Sequence, residues 1–150
     1  MNSDLIELLH HFAKYEVRYL IVGGHAVMRY SEPRYTKDVD LWVAGDVAGS
    51  ESVYQALRDF GAPLTGLTQA DFRAGDYVYQ MGREPFRVNI LLALPGLDFD
   101  AAWQRRELDV FAGVPAHYIS REGLISSKLA SGRPVDLLDV DRLRAFQKDE

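Results

Sequence analysis

Leu5, Leu8, Leu9 and Phe12 recur at helical spacing behind Ser3, Asp4 and Glu7, which predicts an amphipathic helix from Ser3 to about Glu16. RYLIV (18–22) then runs apolar without a break and reads as a short buried strand, ended by Gly23 and Gly24. HAVMRYS supplies about two helical turns before Pro33 stops them. DVDLWV, Asp38 to Val43, alternates polar and apolar and is the next strand. Val53, Ala56, Leu57 and Phe60 form the inner face of a helix over Glu51 to Asp59, closed by Gly61-Ala62-Pro63. Leu64 to Ala74 shows no period. DYVYQM and FRVNILLAL, joined by the turn-like GREP, predict an antiparallel pair, and LDFDAAWQRR a short helix. ELDVFAGVPAHYI predicts two strands about Gly113. SREGLISSKLAS is a helix closed by Gly132, and Asp136 is expected to cap a last helix running to about Gln147.

The resulting order, αβαβαββαββαα, contains connections of hairpin length, so its strands cannot all be parallel. The expected fold class is α/β (α+β), a mixed sheet with helices packed on it. No repeat, linker or shift in composition divides the 150 residues, and one domain over 1–150 is expected.

Composition narrows the function classes. At 47% hydrophobic and 26% charged the chain has the balance of a globular protein. A formal net charge of -5 provides no field to gather a long polyanion, which argues against extended DNA binding. The absence of cysteine excludes disulfides, thiolate metal sites and cysteine nucleophiles. MNSDLIELLHH lacks the basic and apolar regions of a signal peptide, and VNILLAL is too short to span a bilayer. The expected location is cytoplasmic, away from membranes.

The chemistry concentrates between Gly23 and Val43. In a strand, residues i and i+2 share a face about 6 to 7 Å apart, so Asp38 and Asp40 can reach one cation together while Val39, Leu41 and Val43 turn into the core. Oxygen ligands without cysteine or a histidine pair favour magnesium or manganese over zinc. Gly23 and Gly24 stand where a strand gives way to a helix, a place where backbone amides receive phosphate. For that phosphate to meet the metal, the strand ending at Val22 must run antiparallel to the strand starting at Asp38.

These residues resemble a known family, the DNA polymerase β-like nucleotidyltransferases in their minimal bacterial form. GG, a short helix and PRYTKDVDLWV are similar to that superfamily's G-[GS]…D-x-D signature, and SREGLISSKLASGRPVDLLDVDRL is similar to the tail of its abortive-infection and toxin-antitoxin branch. The resemblance spans Tyr19 to Asp141. It implies transfer of a nucleoside monophosphate from a magnesium-bound NTP to an RNA or protein hydroxyl, in a toxin-antitoxin or phage-defence setting with a partner protein encoded nearby. It assigns Gly23, Gly24, Lys128 and Arg133 to the nucleotide, Asp38 and Asp40 to the metal, and Asp38, Asp40 and Asn89 to catalysis. Asn89 departs from the family, which usually carries a third carboxylate there; an amide offers a carbonyl ligand but no charge and no base.

That departure keeps a second reading open, a catalytically degenerate module that binds nucleotide or a partner protein as an antitoxin would. Other residues have plainer readings. Lys128 reads as a solvated helix lysine outside the resemblance, and Asp136 and Asp139 as the cap and first-turn acids of the last helix. Arg29, Arg34 and Lys37 form a basic group beside the acidic pair, either surface charge or contacts to an NTP or RNA end. His10, His11, His25 and His117 lack ligand spacing, with His25 close enough to the glycines to touch a phosphate. No dinucleotide-binding, P-loop or serine-hydrolase motif is present.

Overall fold

The computed structural model describes residues 1–73, 75, 78–83 and 86–146. Its elements are α1 (Ser3–Lys14), β1 (Tyr19–Val22), α2 (Gly23–Tyr30), β2 (Asp38–Val43), α3 (Val47–Phe60), a 3₁₀ turn (Gln69–Phe72), β3 (Val78–Arg83), β4 (Phe86–Leu91), α4 (Phe99–Gln104), β5 (Glu107–Phe111), β6 (Val114–Tyr118), α5 (Arg121–Ser131) and α6 (Pro134–Ala145). The expected order of helices and strands is observed. The residues at 76, 77, 84, 85 and 147 that enter the expected strand, turn and helix end lie outside the described set.

Capping sets the helix ends. Asn2 caps α1, which starts at Ser3 as expected, by accepting from the amides of Asp4 and Leu5 at 2.7 and 3.3 Å. Asp46 accepts from the Gly49 amide at 2.6 Å and starts α3 four residues before the expected Glu51. A Cβ at Gly49 would strike the Ala44 carbonyl, so this glycine serves close packing within the first turn rather than a loop. Ser120 caps α5, and Gly132 ends it in the left-handed conformation at φ +68°. Asp136 is not the cap of α6: Arg133 holds that position, Pro134 opens the helix, and Asp136 lies inside its first turn.

Six strands form one mixed sheet in the order β3-β4-β2-β1-β6-β5. β1 is antiparallel to β2 and parallel to β6, β2 is parallel to β4, and β3–β4 and β5–β6 are antiparallel hairpin pairs. Alternation divides the side chains into two cores. Tyr19, Ile21, Val39, Leu41, Val43, Val88 and Ile90 pack under α1, α3 and the 3₁₀ turn, against residues such as Phe12, Leu57 and Phe72. Leu20, Val22 and Trp42 face the other way, toward Ala26, Val27, Leu124 and Leu143 of α2, α5 and α6. Asp38 and Asp40 share that second face with Trp42, and the helices there leave the start of β2 uncovered. Among the described residues, no helix is long and apolar enough to cross a membrane.

Candidate active site

The site grows from the corner between β1 and β2. Val22 is the register partner of Asp40, so the end of β1 lies beside the start of β2, the arrangement needed for a phosphate at the glycines to meet a metal at the aspartates. Gly23 follows at once with φ +64°, a conformation that L side chains rarely adopt, and a Cβ there would collide with the Asp40 carboxylate. Gly24 meets Thr36, whose Cγ2 and Oγ1 would lie 2.7 and 2.9 Å from an added Cβ. Both glycines thus stand where a side chain would crowd its neighbour, and the start of α2 sits against the Asp40 carboxylate. The Thr36 hydroxyl is buried beside Gly24 without a hydrogen-bond partner.

The two carboxylates differ. Asp38 Oδ1 accepts from Arg87 Nε at 2.8 Å, and this partner above all holds its pKa below the ordinary carboxylate value. Asp40 is more enclosed; burial is the main cause that raises its pKa, with the charge of Asp38 adding to it. Asn89 stands opposite Asp40 in the β2–β4 register. Its amide nitrogen donates to Asp38 Oδ2 at 3.0 Å and to Asp40 Oδ1 at 2.9 Å, while its Oδ1 accepts from Gln80 Nε2 on β3 at 2.8 Å.

This donor set fits one magnesium ion that arrives with a triphosphate. Such an ion is commonly held by one or two carboxylates plus phosphate oxygens and water rather than by a protein cage. Among the described residues no group of three or more His, Cys, Asp and Glu side chains is placed to hold a metal. Asp38 and Asp40 would be the anionic ligands of such an ion, and Asn89 would join them only if its carbonyl turned toward them.

A cleft of about 230 Å³ opens from Gly23 and Asp40 toward Leu91, Leu124, Lys128 and Arg133. Lys128 is not a solvated lysine: its side chain is 11% exposed, with Nζ 3.0 Å from Asp139 and 3.7 Å from Asp136. Arg133 is 70% exposed at the cleft wall and donates to Asp136 at 2.7 Å. That bond brings the Asp136 pKa down to about 2. Asp139 is no first-turn surface acid either; it is buried among Lys128, Arg142 and the guanidinium of Arg34, whose two nitrogens reach it at 2.6 and 3.3 Å.

The basic group expected beside the acidic pair is divided. Arg34 is committed to Asp139, and Arg29 to Asp109 and Glu107 of β5 at 2.7 and 3.5 Å. His25 is half-buried, its pKa lowered chiefly by burial, and it lines a separate cavity with Met28, Arg29 and Tyr118. The sequence reading overlooked Arg87 and Gln80. Arg87 could have been found, because alternation in FRVNIL places it on the face of Asn89; Gln80 needed the hairpin register, and no local signal marks Asp139 as a buried hub.

No protein-family model matches the chain, and no curated protein sequence matches it. Solved structures do. The lincosamide antibiotic adenylyltransferase LnuA bound to lincomycin aligns over 98% of both chains, at 17% identity and TM-score 0.61. ANT(2")-Ia in complex with adenylyl-2"-tobramycin aligns over 93% of this chain and 84% of its own, at 18% identity and TM-score 0.56. An antigenic nucleotidyltransferase-like protein from Paracoccidioides brasiliensis aligns over 100% and 80%, at 20% identity and TM-score 0.58. At these identities the likeness is one of architecture: the chain has the nucleotidyltransferase fold.

Proposed function

We propose that the protein transfers a nucleoside monophosphate from a magnesium-bound NTP to an acceptor hydroxyl. The observation that carries this reading is the corner itself, where the Val22–Asp40 register sets the glycine-opened helix N-terminus against Asp40, one of two carboxylates on the same strand face. The Gly23 and Gly24 amides, with Lys128 and Arg133 across the cleft, hold the triphosphate, and Asp38 and Asp40 hold the metal. Bound there, magnesium supplies neutralisation of phosphate charge. The acceptor oxygen bonds to the α-phosphorus as the α–β bridge breaks, and pyrophosphate leaves with the electron pair. Asn89 is no base, so the hydroxyl proton passes to water.

For the acceptor, the sequence resemblance supports an RNA or protein hydroxyl in a toxin-antitoxin or phage-defence role. The structures bound to lincomycin and adenylyl-tobramycin add hydroxylated small molecules to the trial set. Calorimetric titration with ATP, GTP, CTP and UTP, with and without magnesium, tests the donor site. Magnesium-dependent binding that Asp38→Asn/Asp40→Asn abolishes is expected; no binding up to the millimolar range would overturn the reading. Labelled α-phosphate offered with RNA, protein and lincomycin then identifies the acceptor.

One observation favours a second reading, a non-catalytic module that binds nucleotide or a partner protein. Arg87 and Asn89 already donate to Asp38, and Asn89 to Asp40, from within the protein. Under that reading Asn89→Asp brings no transfer activity, whereas a weakened enzyme gains it.

A further inference from the structure

Asn89 presents hydrogens, not its carbonyl, to the two carboxylates, an arrangement opposite to that of a metal ligand. The nitrogen lies 3.0 Å from Asp38 and 2.9 Å from Asp40 and bridges them, as a small cation would, without carrying charge. The carbonyl is turned away to Gln80, at 2.8 Å. Asp38 has its other oxygen on Arg87. The acidic pair thus meets donors on at least three of its four oxygens from within the protein.

We propose that Asn89 is a cation-responsive amide: it bridges Asp38 and Asp40 through its NH₂ when no cation is bound and turns its carbonyl onto the cation when one arrives. Gln80 turns with it. Rotation about the side-chain amide exchanges Asn89 Oδ1 for Nδ2 on the β3 side, and Gln80 matches the exchange by offering Oε1 instead of Nε2. No proton moves and no covalent bond changes. A cation must therefore displace two charge-assisted hydrogen bonds before it gains a neutral ligand, which makes metal alone a weak ligand and couples its uptake to the triphosphate that brings it. The inference rests on the reading of Asp38 and Asp40 as a cation site, and it extends that reading to Asn89 and Gln80, where the family's carboxylate would need no rotation.

The test uses metal without nucleotide, so that its failure is distinct from a failure of nucleotide binding. Manganese titration followed by the resonance of free Mn²⁺ compares the unchanged protein with Asn89→Asp and Asn89→Leu. Thermal melting of each is recorded in chelator and in magnesium, and the side-chain amide resonances of Asn89 and Gln80 are followed during a magnesium titration of the unchanged protein. Asn89→Asp is expected to bind Mn²⁺ at least about tenfold more tightly, to melt lower in chelator and to recover in magnesium. Asn89→Leu is expected to melt lower than the unchanged protein in chelator, because it lacks the bridging hydrogens. Both amide resonances should shift together as magnesium saturates. An Asn89→Leu protein that melts with the unchanged protein in chelator would overturn the proposal, as would amide resonances that stay in place at saturation or an Asn89→Asp protein that binds no cation.

Discussion

At the scale of residues, two aspartates one position apart on one face have opposite electrostatics. Asp38 gains Arg87 and has a lowered pKa, so its contribution to stability is present above about pH 4 and is lost as pH falls through the depressed value. Asp40 is enclosed, and its raised pKa means that stability is lost as pH rises through the elevated value. Asp40→Asn should therefore raise stability at pH 7 and match the unchanged protein at pH 3, whereas Asp38→Asn should lower it at pH 7 by about 1 kcal/mol or less, since the pair with Arg87 is partly exposed. Urea melts across this range decide the matter; stabilisation by both substitutions would mean that mutual repulsion outweighs Arg87. Gly23→Ala is expected to cost about 1–3 kcal/mol through its positive φ and the clash with Asp40, and to weaken nucleotide binding in the same calorimetric assay. Unchanged binding would remove Gly23 from the phosphate site.

At the scale of elements, α6 is unusual in the face it buries. Asp136, Asp139, Val140 and Leu143 point inward while Val135, Leu137 and Leu138 are exposed, so charge pairing supplies much of its docking. Asp139 holds α5 through Lys128 and the loop before β2 through Arg34. Asp139→Asn leaves Lys128 buried without its nearest anion and should cost about 3 kcal/mol, the low end for a broken buried pair, because Arg34 and Arg142 can turn to water. Lys128→Met combined with Asp139→Leu should recover most of that loss in the same melts; a double variant no more stable than Asp139→Asn would argue against the pairing as the cause. This hub also marks the limit of what local pattern reveals. Element order, the shared face of Asp38 and Asp40, and the antiparallel β1–β2 corner were legible because each follows from a period of two, a period near 3.6 or the length of a connection. The Arg34–Asp139 bond joins residues 105 positions apart, and in sequence Asp136 and Asp139 look like ordinary acids of a helix start. Alternation could show that Asn89 faces the acidic pair, but not which end of its amide does so, since that depends on Gln80 in the neighbouring strand.

At the scale of the whole molecule, the sheet separates two cores of different character. The side covered by α1 and α3 is held by a large apolar cluster, while the side that carries the cleft joins a smaller cluster to the buried carboxylates of α6. Apolar burial does not titrate, and carboxylate pairing does. The pKa of Asp136 is about 2, below the ordinary value of 3.8, so the stability it lends is complete above about pH 4 and disappears as pH falls toward 2; Asp139 is lowered in the same direction. Acid should therefore loosen α6 and the Lys128 wall of the cleft before it opens the sheet. Hydrogen exchange measured from pH 4 down to pH 2, corrected for the intrinsic rate, is expected to show α6 losing protection first while β1 and β2 keep theirs. Asp136→Asn/Asp139→Asn should show the same loss of α6 protection already at pH 7, because the charges that acid removes are absent from the start. Simultaneous loss across α6, β1 and β2 at every pH would instead mean that the two sides of the sheet unfold as one unit and that the buried carboxylates do not set a separate acid limit for the cleft.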